Sequence, residues 1–142
     1  MKFKGIHHIG IAVFNLEESL ATWAALFGAT PGRVEDIPER GVRLVHLRFA
    51  EGSQIELLAP LGEASPVAKF LESRGEGVHH LTFEVDDIKT ALGELTRAGL
   101  QLVSEKSQTG AGGAQVAFIH PRSLNGVLVE IRQGGKQEPP AA

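Results

Sequence analysis

The sequence predicts an α+β protein made of two tandem βαβββ modules. Three observations carry that reading: an internal repeat, a capped amphipathic helix in each half, and short alternating segments after each helix. GIHHIGIAVFN begins at Gly5 and GVHHLTFEVDD at Gly77, so His8 and His80 align at an offset of 80 − 8 = 72. Gly5, His7, His8 and Val13 recur as Gly77, His79, His80 and Val85. Ile6, Ile9, Ile11 and Leu16 recur as the apolar Val78, Leu81, Phe83 and Ile88.

Each module opens with a strand and a helix. In the first, Asn15 is placed to cap a helix with Glu18 at capping-box spacing. Leu16, Leu20, Trp23 and Phe27 fall on one face, and Gly28 supplies the stop. In the second, Asp86 or Asp87 caps, Ile88, Ala91, Leu92 and Leu95 form the stripe, and Gly99 ends it. Strands follow. The first module continues through ATPGRVEDI to VRLVHLRFA, a turn at Glu51-Gly52-Ser53, and QIELLAP. The second runs through LQLVSEKS, the glycine-rich TGAGGA, QVAFIHP, a turn around Leu124-Asn125-Gly126, and VLVEIRQ. SPVAKFLESRG between them predicts a linker helix, with Ser65 as cap and Pro66 in its first position. The expected organisation is one domain over 1–133, with modules at 3–62 and 76–132, a linker helix at 65–74, and a disordered tail over 134–142.

Composition narrows the function. The chain has 142 residues, 42% hydrophobic and 22% charged, the balance of a globular protein. A formal charge of −3 with scattered Lys and Arg gives no footprint for nucleic acid. Cysteine is absent, which excludes disulfides, thiolate metal sites and a cysteine nucleophile. No apolar run has membrane-spanning length and no signal-peptide pattern opens the chain, so a cytoplasmic protein without membrane partners is expected.

Strand parity separates the paired histidines. Adjacent strand residues point to opposite faces. His7 shares a face with Ile9, Ile11 and Val13, which reads as packing surface. His8 lies with Ile6, Gly10 and Ala12, where small residues leave room, and His80 lies with Val78, Thr82 and Glu84. In the last strands, Glu56 opposes Ile55 and Leu57, and Glu130 opposes Val129 and Ile131. The two glutamates are 130 − 56 = 74 apart, repeat partners with a two-residue insertion. A single strand histidine or glutamate is ordinarily a core or solvent-face residue. Two of each, related by the repeat, predict a divalent metal site at His8, Glu56, His80 and Glu130. Imidazole and carboxylate donors suit Zn, Mn, Co, Ni or Fe(II), and four of them leave two octahedral positions open for chemistry.

These residues resemble the vicinal oxygen chelate (glyoxalase/bleomycin resistance/dioxygenase) superfamily and, within it, the methylmalonyl-CoA epimerase family. HHIGIAV, IPERGVRLV, IELLAPLGEASPVAKFLESRGEGVHHLTFEVDDI, GAGG and FIHPRSLNGVLVEI carry the likeness, from about Gly5 to Ile131. The resemblance implies a cup-shaped, curved mixed sheet around one metal ion (Co, Mn, Ni, Zn or Mg), with His8, Glu56, His80 and Glu130 as ligands. It also implies an acyl-CoA substrate, a homodimer, and interconversion of (R)- and (S)-methylmalonyl-CoA through a metal-stabilised enolate. Some members carry glutamine where this chain has Glu56, and some carry a glutamate where it has Leu44. Glu130 is therefore the expected base on one face of the substrate, and Glu56 the expected partner on the other.

Other residues draw more ordinary expectations. TGAGGA is a flexible lid or a plain hairpin connection. His46 and His120 are structural or exposed. Lys69, Arg43 and Arg122 are surface charges rather than CoA-phosphate contacts. The rival functions are a glyoxalase I type lactoylglutathione lyase, a ring-cleaving dioxygenase, and a non-catalytic small-molecule-binding protein of the same fold.

Overall fold

A computed structural model describes residues 2–134. The chain divides into two compact units, residues 8–79 and residues 80–134 together with 2–7. The divisions fall between the two histidines of each repeated pair. The expected tail over residues 135–142 lies outside the described residues; Gly134 is inside them, its N–H donating to Glu84 at 2.9 Å.

In the unit of residues 8–79, strand β1 (Phe3–Ala12) leads to helix α1 (Leu16–Phe27). The Asn15 side chain accepts from Glu18 N–H at 2.9 Å, and Gly28 closes the helix at φ +64, a conformation that favours glycine. ATPGRVEDI forms two short strands, β2 (Thr30–Pro31) and β3 (Glu35–Ile37), both antiparallel to β4 (Val42–Arg48). β4 turns back into β5 (Gln54–Pro60), and the second half of β1 runs parallel to β5. The order is β2-β4-β5-β1, with β3 beside β2's place on β4. The linker helix α2 (Pro66–Arg74) buries Val67 and Leu71 and packs against β5, its N-terminus held by Ser65.

The other unit repeats this plan. β6 (Gly77–Val85) leads to α3 (Ile88–Arg97), capped by Asp87. β7 (Gln108–Thr109) and β8 (Gln115–Ile119) are antiparallel, β8 pairs antiparallel with β9 (Val129–Gln133), and β9 runs parallel to β6. The order is β6-β9-β8-β7. In each half, then, the module's opening strand lies parallel beside its closing strand, and that adjacency positions the site.

Three expectations change. Phe27, placed on the buried stripe of α1, is 55% exposed and rests on the Trp23 ring at a centroid distance of 5.2 Å. The segment LQLVSEKS is not a strand: it makes one bridge, Leu102 to Ile119. The Ser104 hydroxyl folds back on Lys106, taking its N–H at 3.4 Å, and turns the chain off the sheet. Finally, the His7 face of β1 is the less covered one, with Ile9 36% exposed, whereas His8, Gly10 and Ala12 are buried.

Two apolar clusters lie between helix and sheet. In one unit, Val13, Leu16, Val45, Leu47, Leu57 and Ala59 pack with partly buried Leu20 and Trp23. In the other, Ile88, Ala91, Leu92 and Leu95 of α3 meet Ala117, Ile119, Val129 and Ile131. Fully burying each large aliphatic side chain contributes about 1.5–3 kcal/mol.

Candidate metal centre

The opposite sheet face carries the polar residues, and in each unit it carries a histidine–glutamate pair. In residues 8–79, β1 and β5 set Gly10 beside Glu56, while the β4–β5 hairpin sets His46 across from it. Glu56 is 5% exposed, His8 2% and His46 3%. His8 Nε2 lies 3.4 Å from Glu56 Oε2, and His46 Nε2 lies 2.8 Å from the same oxygen. The His8 and His46 rings stand 5.0 Å apart, centroid to centroid.

In residues 80–134, β6 sets Thr82 beside Glu130, and β8 sets Phe118 across from it. His80 and Glu130 are buried, with His80 Nε2 3.7 Å from Glu130 Oε1. The Thr82 hydroxyl donates to the same oxygen at 2.6 Å. Phe118 meets the His80 ring edge-on at 6.2 Å.

All four residues singled out by strand parity are therefore buried, and each glutamate lies with the histidine of its own half. That excludes the solvent-face reading of Glu56 and Glu130. A buried carboxylate costs several kcal/mol unless charge and hydrogen bonds compensate it, and two imidazoles with two carboxylates suit a divalent cation. His8, Glu56 and His80 each offer a buried donor atom that a metal ion can take. The donor set fits.

Two contributors escaped the sequence reading. His46, expected to be structural or exposed, is buried against Glu56. The signal was present: a hairpin with paired Arg48 and Gln54 has 48 + 54 = 102, and 46 + 56 gives the same sum. Thr82 was placed on the His80 face, but its tie to Glu130 depends on the parallel register of β6 and β9. The other candidates resolve simply. His120 caps a short turn, its Nδ1 accepting from Arg122 N–H at 3.0 Å. Arg43 is held by Asp36 and Glu17, each at 2.9 Å. The Asp36 hydrogen bond and charge, with Glu17, keep its guanidinium pKa above the usual value. Lys69 and Arg122 are exposed. TGAGGA connects β7 to β8 as a tight hairpin, Gly110 N–H donating to Ala114 O at 2.7 Å.

The chain is thus an α+β protein of repeated βαβββ modules, with a buried His/Glu pair in each and a candidate set of metal donors. Residues 7–118 match the family described as the Glyoxalase/Bleomycin resistance protein/Dioxygenase superfamily, and the chain belongs to it. It is 41% identical over 130 residues to the ethylmalonyl-CoA/methylmalonyl-CoA epimerase of Cereibacter sphaeroides, covering 90% of this chain and 96% of that one. A crystal structure of methylmalonyl-CoA epimerase from Mycobacterium tuberculosis superposes with a TM-score of 0.91 at 32% identity, covering 94% of this chain and 90% of that one. A methylmalonyl-CoA epimerase in complex with methylmalonyl-CoA and NH4+ gives a TM-score of 0.89 at 31% identity, covering 98% of this chain and 100% of that one.

Proposed function

We propose that this chain is a metal-dependent epimerase that interconverts (R)- and (S)-methylmalonyl-CoA, with His8, Glu56, His80 and Glu130 holding one divalent ion within a single functional domain. The observation that carries the reading is the buried histidine–glutamate pair in each half, at repeat-related positions. Its support is the likeness to epimerases acting on this substrate class.

The C2 proton of a 2-methylmalonyl thioester is acidic because a thioester carbonyl and a carboxylate flank it. When bound, the metal supplies Lewis-acid stabilisation of the negative charge that builds on the thioester oxygen. The chain's own residues handle the proton. A Glu130 carboxylate oxygen takes it from one face of C2, and Glu56, starting in its carboxylic acid form, delivers its own proton to the other face; exchanging these roles runs the reaction backward. Thr82 anchors Oε1 of Glu130, and His46 engages Oε2 of Glu56. Leu44, 2% exposed, offers no acid or base at its own place on β4, and in this reading Glu56 makes the second transfer.

An acyl-CoA substrate, a homodimer and a cytoplasmic setting belong to the same proposal. Among the described residues no helix is long and apolar enough to cross a membrane. The experiment is C2 exchange: methylmalonyl-CoA in D2O with the Co2+-loaded protein should incorporate deuterium and epimerise together. Turnover of a glutathione hemithioacetal without such exchange would overturn the proposal in favour of a lyase. Ligand binding with neither reaction would make the chain a binding protein.

A further inference from the structure

We infer that His46 is a positioning residue for Glu56, fixing the orientation in which that carboxylate faces the metal ion and the substrate proton. The inference rests on the reading of Glu56 as ligand and acid–base group.

The two halves treat the same problem differently. Opposite Glu130 on the antiparallel neighbour stands an aromatic residue, Phe118; opposite Glu56 in the corresponding place stands His46. The second half draws its polar support from the parallel neighbour, Thr82, where the first half has Gly10. The support has thus moved from one flanking strand to the other. A buried imidazole where the sister half has a phenyl ring must offset its desolvation with a good hydrogen bond, and the 2.8 Å contact to Glu56 supplies one.

The chemistry sets the direction of that bond. When Glu56 is ionised it only accepts, so His46 Nε2 then carries the proton and donates to Oε2. The contact restricts rotation of the carboxylate by engaging Oε2. Because His8 Nε2 lies 3.4 Å from that Oε2, a carboxylate released by His46 has a second nitrogen on which to collapse. Hydrogen bonds of this kind behind a metal ligand are worth ~10–100-fold in metal affinity.

The test is Co2+ binding to the metal-free full chain, by calorimetry, with thermal melts to check folding. Replacing the imidazole with the ring of the sister half, His46→Phe, should weaken binding by about 10–100-fold. His46→Gln, which retains a side-chain N–H donor, should recover most of the loss. In a Glu56→Ala background, His46→Phe should add nothing, since the effect passes through Glu56. In turnover, His46→Phe should lower kcat and leave KM nearly unchanged. If His46→Phe does not fold, His46→Leu takes its place. A folded apolar variant with parental affinity, or an equal loss with and without Glu56, overturns the inference while leaving the metal site standing. A parental chain that binds no divalent ion overturns both.

Discussion

Comparing the two half-sites shows what the repeat kept and what it let drift. His8 with Glu56 and His80 with Glu130 occupy equivalent strands, are all buried, and sit beside their glutamates at 3.4 and 3.7 Å. Their surroundings differ: an imidazole behind Glu56, a threonine hydroxyl behind Glu130. The histidine and glutamate were preserved, and the supporting hydrogen bond was solved twice. The lesson is that carboxylates at repeat-related positions need not share the same support.

The largest effect that would sharpen this comparison is at Glu56. Glu56→Gln keeps a ligating oxygen and removes the proton acceptor, so turnover should fall on the order of 10²-fold or more, with metal content near stoichiometric. If Glu56→Gln epimerises at close to the parental rate, Glu56 is a ligand only, and the two halves differ in support but not in proton chemistry.

A smaller effect is expected at Thr82. Thr82→Val preserves the branched strand shape and deletes the 2.6 Å bond to Glu130. Urea unfolding of the metal-free chain should show a loss of about 1.5–3 kcal/mol, the range for hydrogen bonds to charged groups. An unchanged midpoint would mean that the second half does not rely on its hydroxyl.

The smallest effect concerns the helices. Leu26 and Phe27 of α1 are 70% and 55% exposed, whereas Ile88, Ala91, Leu92 and Leu95 of α3 are buried. Phe27→Ala should therefore move stability by less than about 0.5 kcal/mol, against about 2–5 kcal/mol for Leu92→Ala. Comparable losses in thermal melts would show that α1 is covered in solution, as a dimer contact would cover it.

What the sequence made legible follows from the range of its signals. The capped helices and the Gly28 stop are local, written in Asn15, Ser65 and Asp87, and the structure has them where the residues place them. The residues of the two buried histidine–glutamate pairs were legible because the repeat states them twice. His46 has no repeat partner, since Phe118 holds its place, and its meaning appears only through cross-strand register. Thr82 needed a parallel pairing that no turn specifies. The burial of the His8 face was hidden for a related reason: Gly10 and Ala12 look like free space in a sequence, and neighbouring strands decide what fills it. LQLVSEKS alternates like a strand, yet the Ser104 turn overrides the pattern.

The proposal's central claim, one divalent ion per chain, is tested most directly by the stoichiometry and affinity of divalent binding in single-histidine variants. The account predicts one tight Co2+ per parental chain, lost in both His8→Ala and His80→Ala and retained in His7→Ala and His79→Ala. Two ions per chain, or tight binding that survives in His80→Ala but vanishes in His79→Ala, would contradict it.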